Sequence, residues 1–355
     1  MQLGVACDQR TIGLVMMIAS EGMGGCILRT EELGERRIIE IMQARLDLMP
    51  RMPVPFGDDV SACDIGGGRL AVLKTDMLVA RTDVPKGMTL WQAARKTVVM
   101  NVSDFAAKGV RPIAMLVSMG LPKGTREKDV EEIAGGLNAG AREYGAYVIG
   151  GDTGEATDVI ISLSLFGTAT EGELMLRGGA KSGDFLAVTG LFGKTPAGLR
   201  ILLENLDVSE KMRRSLVESV LLPSARLKEG LALAQTKAVT AAIDSSDGLA
   251  WSLHELARAS GVGFLVDKLP IAKEAERFSE DNNLNSADLA LYGGEEYEIV
   301  VTVTPRLWAV AERAVARVGG RLLRIGRATA DKSVLFEANR KRRVVEPRGY
   351  EHFKA

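Results

Sequence analysis

The sequence predicts an α+β protein built as two mixed α/β domains. Three observations carry that prediction. The chain has 355 residues, more than one ordinary core holds. Short strand-like apolar runs are interleaved with longer helical stretches in both halves, in no strict alternation. A polar, glycine-rich stretch at 177–184 interrupts the pattern near the middle. The expected division is an N-terminal extension over 1–28, flexible, then an N-terminal domain over 29–172 and a C-terminal α/β domain over 173–355.

The elements follow in order. Residues 29–49 read as a helix, with Thr30 as N-cap, Glu31 and Glu32 in the first turn, and Ile38, Ile39 and Ile41 as apolar positions. Pro50, Pro53 and Pro55 end that pattern. Strands are expected at 60–65 and 70–79, around the Gly66-Gly67-Gly68 turn. A helix at 90–108, a strand at 113–121, a helix at 127–144 and strands at 146–149 and 159–168 complete the first half. The second half starts with a strand at 185–189 and continues with helices to about 234. It then places a strand at 238–243, a helix at 249–260, a strand at 264–266 and a polar loop at 281–286. A strand at 297–303, a helix at 305–318 and strands at 322–328 and 333–337 close it.

Composition removes several functions. Lys+Arg is 45 and Asp+Glu is 46, for a net charge of -1. A nucleic-acid binder needs an excess of positive charge, and so does a polybasic membrane-surface protein. The run Arg340-Lys341-Arg342-Arg343 is read as a solvated hairpin turn. Cys7, Cys26 and Cys63 have no paired spacing, so neither a disulfide framework nor a CxxC zinc site is expected. His254 and His352 are the only histidines, too few for a His-rich metal site. The apolar run at 12–19 is too short to span a bilayer. Met23 would serve equally well as a start. The cytoplasm is the expected compartment.

A local design recurs: an apolar run ends, small residues follow, and an aspartate sits among them. It appears at Gly57-Asp58-Asp59, Lys74-Thr75-Asp76, Gly150-Gly151-Asp152-Thr153 and Asp244-Ser245-Ser246-Asp247-Gly248. A helical version is Asn101-Val102-Ser103-Asp104, in which Asn101, Asp104 and Lys108 share one face. Each alone is ordinary turn chemistry. Five together, over both halves, read as carboxylates converging on hard cations of the Mg²⁺ type. The neighbouring glycines let backbone N–H groups approach phosphate oxygens. A nucleoside triphosphate site is the combined expectation. Gly193-Lys194-Thr195 is not a P-loop, because Val188 stands where that motif needs glycine.

At these residues the chain resembles the thiamine-monophosphate kinases of the aminoimidazole-ribonucleotide-synthetase-like superfamily. The likeness runs from about Thr30 to the C-terminus. It rests on GDD (57–59), TDMLV (75–79), NVSDFAAKG (101–109), GGDT (150–153), RGGAKSGD (177–184), DSSDG (244–248), GGEEYE (293–298) and GYEHF (349–353). Segment 82–89 resembles the archaeal branch. The resemblance implies that Asp59, Thr75, Asp76, Asp104, Asp152, Asp244 and Asp247 hold several Mg²⁺ ions around ATP. Gly151, Asp152, Arg177 and Ser246 would contact ATP, and Asp83, Glu295 and Tyr350 the thiamine monophosphate. Asp76, Asp104, Asp152 and Arg177 form the expected catalytic set. It further implies a homodimer formed through strands of the N-terminal domain, with ATP at the junction of domains and subunits. Two departures stand out: Asp83 replaces a histidine common in bacterial members, and Glu296 replaces the usual aspartate.

The residues suit such chemistry. A phosphomonoester has a second pKa of about 6, so the acceptor is largely ionised at neutral pH and needs no general base. Phosphoryl transfer is then mostly positioning and charge neutralisation. The alternatives are a sister ATP-dependent enzyme that activates a carbonyl or amide oxygen of another metabolite, or a non-catalytic nucleotide-binding protein.

Overall fold

The computed structural model describes residues 28–353, apart from Asn205 and Asp207. Most of the extension expected at 1–28, with Cys7, Met23 and Cys26, lies outside the described residues. Two units separate. One comprises the N-terminal residues through Asp47 with the C-terminal residues from Glu351, and the other is Leu48–Tyr350. The first unit contains helix α1 (Thr30–Gln43), kinked at Gly34 where φ is 72°. Its backbone His352 N–H donates to Glu35 Oε2 at 3.4 Å.

The larger unit holds two sheets. The first contains β1 (Ser61–Asp64), β2 (Arg69–Val79), β3 (Pro112–Leu121), β4 (Tyr147–Glu155) and β5 (Ile160–Thr170), in the order β1-β2-β5-β3-β4. All pairings are antiparallel except β3 with β4. Three helices interrupt these strands: α2 (Ala80–Asp83), α3 (Leu90–Lys108) and α4 (Glu127–Glu143).

The second sheet is built from β6 (Phe185–Val188), β7 (Val239–Ser245), β8 (Gly263–Val266), β9 (Glu298–Val303), β10 (Leu323–Thr329), β11 (Val334–Ala338) and β12 (Lys341–Val344). Their order is β12-β11-β8-β10-β6-β9-β7, with β11 and β8 parallel and the rest antiparallel. The helices are α5 (Lys194–Glu204), α6 (Glu210–Leu221), α7 (Leu227–Thr236), α8 (Leu249–Ser260), α9 (Lys273–Asp281), α10 (Ser286–Tyr292) and α11 (Trp308–Arg317).

Helix α3 is the centre of the arrangement. Thr89 caps it, accepting the Gln92 N–H at 3.2 Å, while Gln92 accepts the Thr89 N–H at 2.9 Å. Gly109 ends it in the left-handed region at φ 70°. Every residue from Ala93 to Lys108 except Met100 is buried. The helix packs on α4 and α7, on β2 and β5 of the first sheet, and on β7 and β9 of the second. Gly230 of α7 makes one approach possible, because a Cβ there would stand 2.0 Å from the Ala106 carbonyl oxygen. One core cluster accordingly runs from Val72 and Leu163 through Val102 and Phe105 to Ile299 and Val301. A buried helix normally carries apolar residues all round. Here Arg95, Lys96, Thr97, Asn101, Ser103, Asp104 and Lys108 are buried on it as well, and that polar set builds the site.

Several expectations are corrected. Thr30 is the first helical residue and Arg29 the N-cap, and the helix stops at Gln43, not 49. The strand expected at 146–149 continues to Glu155, so Gly151 and Asp152 lie within β4 and not in a turn after it. The run at 340–343 does lie in an exposed hairpin, with its turn at Asn339 and Arg340 and the rest on the edge strand β12. There Arg342 pairs with Glu337 at 2.6 Å and Arg343 stacks on Phe336.

Candidate active site

Three carboxylates converge. Asp59, Asp104 and Asp244 each bring an oxygen to within 4.8 Å of the others, and all three are buried. They come from the loop before β1, from α3, and from the end of β7. The strand-to-helix turn after β7 and the last turns of α3 therefore face each other. Ser103, beside Asp104, donates its hydroxyl to Asp244 at 2.9 Å.

Cations answer this charge. Lys108 lies 2.6 Å from Asp58 and 2.8 Å from Asp59, and also donates to the Ala242 carbonyl at 2.7 Å. Arg177 donates from Nε to Asp59 at 2.6 Å and from Nη1 to the Gly57 carbonyl at 2.8 Å. Its backbone N–H donates to Asp58 at 3.0 Å. Lys74 lies 3.1 Å from Asp76 and 2.9 Å from Asp104.

The electrostatic consequences differ along the cluster. Burial would raise Asp59, yet Arg177 and Lys108 outweigh it and hold its carboxyl below the usual range. Burial pushes Asp104 well above the carboxylate range against the pull of Lys74, with Asp244 and Asp76 adding to the rise. Burial, with the charge of Asp59, pushes Asp244 up to about 7, against Lys74 and the Ser103 hydrogen bond. Lys74 is raised well above the usual lysine range, because Asp104 and Asp76 overcome its own desolvation.

The donors are oxygens, with no histidine or cysteine among them, which suits a hard divalent ion. Asn101 adds to this fit. It lies one turn before Asp104 on the same face of α3, and its Oδ1 is buried without a hydrogen-bond partner. Its amide donates instead to the Thr97 carbonyl.

A second group gathers beside the cluster. The Glu295 N–H donates to the Ser246 carbonyl at 2.6 Å, the Tyr297 N–H to Ser245 at 3.0 Å, and the Tyr350 N–H to Asp247 at 3.1 Å. Ser246, Asp247, Glu295 and Tyr350 are thus stitched into one loop assembly. Glu295 and Tyr297 adopt left-handed φ values of 61° and 52°, a strained state for such residues. The buried Lys96 of α3 pairs with the Glu295 carboxylate and donates to the Asp83 carbonyl at 3.1 Å. The Asp83 carboxylate itself accepts the Val79 N–H at 2.7 Å, so its side chain supports the start of α2.

The expected set divides by strand parity. On β2, Lys74 and Asp76 face α3, while Leu73, Thr75 and Met77 are exposed on the opposite face. Pairing carries that outer face across the sheet, from Met77 through Ser162 and Ser118 to Asp152. A parallel row runs from Thr75 through Ser164 and Leu116 to Gly150. Thr75 and Asp152 therefore lie on the face away from Asp59, Asp104 and Asp244. Gly151 serves the pairing directly, since a Cβ there would stand 1.8 Å from the Val117 carbonyl oxygen. Lys74, Lys96 and Ser103, to which sequence reasoning gave no role, belong to the site, as do Asp58, Asn101 and Lys108. A separate cavity of about 330 Å³ lies elsewhere, lined by Lys194, Arg226, Glu298 and Arg321 among others.

Comparison with known proteins identifies the family. Residues 57–169 match the N-terminal domain of AIR synthase related protein, and residues 181–337 match its C-terminal domain. The thiamine-monophosphate kinase of Nitrosopumilus maritimus is 33% identical over 91% of this chain and 99% of its own length. That of Pyrococcus horikoshii is 36% identical over 84% of this chain and 91% of its own. A solved structure described as AaThiL complexed with AMPPCP and TMP superposes with a TM-score of 0.81 at 28% identity, over 92% of this chain and 100% of that one. The chain belongs to the AIR synthase-related family, in its thiamine-monophosphate kinase branch.

Proposed function

We propose that this chain transfers the γ-phosphoryl group of ATP directly to the phosphate of thiamine monophosphate, at the buried acidic cluster. Phosphorylation of thiamine monophosphate to the diphosphate by ATP is the activity of its branch. The observation that carries the reading is the convergence of Asp59, Asp104 and Asp244 from both halves of the larger unit.

Asp59, Asp104 and Asp244 would hold Mg²⁺, with Asp76 beside them on the inner face of β2. Bound there, the metal supplies positive charge to the phosphate oxygens as they approach each other. The protein's own groups do the rest. Ser103 orients Asp244. Lys108 and Arg177 keep Asp59 ionised, which a metal ligand requires. The Glu295 and Tyr350 loops, fixed to Ser246 and Asp247, present the acceptor to the cluster. Lys96 holds Glu295 in its left-handed conformation. No group needs to remove a proton, because the acceptor oxygen is already ionised.

Dimerisation is part of the proposal. The outer face of the first sheet exposes Leu73, Met77 and Leu116, and its edge strand β4 exposes Tyr147 and Ile149. A contiguous apolar face with a bare strand edge needs a cover. A second copy placed there would bury Thr75 and Asp152, so their part in holding nucleotide would be made through the dimer. A cytoplasmic location belongs to the same reading, because ATP is the donor. No described helix is long and apolar enough to cross a membrane.

The test is a coupled assay with Mg²⁺ and ATP, offering thiamine monophosphate or free thiamine. Thiamine diphosphate and ADP should form one to one, from the monophosphate alone, and Asp76→Asn should abolish both. ATP binding without transfer would redirect the reading to a sister substrate. Light scattering should give twice the chain mass.

A further inference from the structure

The geometry points to Lys74 as a resident cation that holds a divalent-ion position shut until nucleotide arrives. The inference rests on the kinase reading of the acidic cluster and concerns how that cluster is loaded.

Lys74 and Asp76 are two apart on β2, so both side chains turn to α3. The ammonium lies 3.1 Å from Asp76 Oδ1 and 2.9 Å from Asp104 Oδ2. Asp104 also belongs to the set whose oxygens lie within 4.8 Å of one another. One carboxylate is thus shared between a lysine and the metal-binding set. The Lys74 side chain is 20% exposed, so it is enclosed and close to a route outward.

The other two cations are placed differently. Lys108 is anchored by the Ala242 carbonyl as well as by Asp58 and Asp59. Arg177 is anchored by the Gly57 carbonyl. Among the described residues, Asp76 and Asp104 are the carboxylates at ion-pair distance from the Lys74 ammonium. Its hold therefore depends on the charge that a divalent ion would need.

A divalent ion and an ammonium sharing the same oxygens repel each other strongly at such separations. The ion must displace the ammonium, or wait until something else takes it. Phosphate oxygens are the anions that enter this site, and lysine binds them as a point charge. The lysine then exchanges two carboxylates for phosphate, and Asp76 and Asp104 become free for the metal. Metal and nucleotide therefore load together, and their binding is coupled in both directions.

The test measures Mn²⁺ binding by electron paramagnetic resonance on the full chain, with and without AMPPCP, and needs no turnover. Without nucleotide, Lys74→Met and Lys74→Gln should bind Mn²⁺ at least about tenfold more tightly than the wild type, while Lys74→Arg should stay close to it. AMPPCP should tighten Mn²⁺ binding far more in the wild type than in Lys74→Gln, after correction for the Mn²⁺ that AMPPCP binds alone. Lys74→Gln keeps hydrogen bonds to both carboxylates, so it retains the fold if the bulkier change does not. Equal nucleotide-free affinity in wild type and folded Lys74→Gln would overturn the inference and leave the kinase reading standing. A chain that phosphorylates nothing yet shows the tenfold gain would keep the inference and sink the kinase reading.

Discussion

Ser103 on α3 donates its hydroxyl to Asp244 at the end of β7 over 2.9 Å, across 141 residues of sequence. Both are buried, and the bond ties the helix that crosses the first sheet to a strand of the second. It also moderates the rise of Asp244, whose carboxyl burial pushes up to about 7. Ser103→Ala leaves that carboxylate short of one donor in a buried site. A loss of about 1–3 kcal/mol in unfolding free energy is expected, the usual cost of leaving a buried polar group unsatisfied. Urea unfolding reads it directly. Unchanged stability together with unchanged kcat would mean that the hydroxyl holds nothing.

Lys108 has no exposure at its side chain and faces two carboxylates and a carbonyl. Lys108→Met removes the cation and keeps the volume. Breaking a buried pair costs about 3–5 kcal/mol, because the remaining charge stays buried and unpaired. Asp58 and Asp59 then present more negative charge to a divalent ion. Thermal unfolding with and without Mg²⁺ should show a large fall in Tm without metal and a partial recovery with it. Equal losses in both conditions would place Lys108 outside the electrostatics of the cluster.

Much of this site is written in local patterns. Asn101, Asp104 and Lys108 share a helix face by their spacing alone, and α3 buries all three. Asp59 and Asp244 stand out because each sits among small residues at the edge of an apolar run. The division of Thr75 from Asp76 was equally legible, since neighbours on a strand face opposite ways. Counting both as ligands of one centre ignored that period. Lys74 was hidden for the opposite reason. A lysine in a strand reads as a solvated position, and its two carboxylate partners come one from its own strand and one from a helix. The extent of β4 was hidden by Gly150 and Gly151, which weaken a strand signal but here permit close pairing with β3. Helix α9 was missed because its apolar positions are few among charges, and α10 because seven residues are too few to show a helical period.

Lys96 and Glu295 offer a test of how the acceptor side is positioned. Lys96 is buried, and its partner carries the left-handed φ of 61°. Lys96→Met, Glu295→Gln and the double variant form a cycle. Residues in contact within one ion-pair network couple by about 0.5–3 kcal/mol, and a value in that range is expected in unfolding free energy. KM for thiamine monophosphate should rise in both single variants, with KM for ATP changed less. Additive effects on stability and equal shifts of both KM values would show that the pair is not a positioning device.

Glu296 gives the pH dependence its sign. Its carboxylate accepts the Gly193 N–H, and the Thr195 hydroxyl lies 3.3 Å away at the start of α5. Burial nevertheless pushes it up to about 8, against those two donors and with the help of Glu298. A carboxyl raised in the folded state favours the protonated form there. Its contribution to stability is complete below its unfolded value near 4.5 and is lost as pH rises through about 8. Glu296→Gln keeps an acceptor for the Gly193 N–H and cannot ionise. At pH 4.5 and below the variant and the wild type should unfold at similar temperatures. At pH 9 the wild type alone carries a buried charge, so the variant should be the more stable of the two. The Tm difference should open between about pH 4.5 and 8 and stay level above that. A difference that is constant across that range would mean that Glu296 is ionised throughout, held so by Gly193 and Thr195 against its burial.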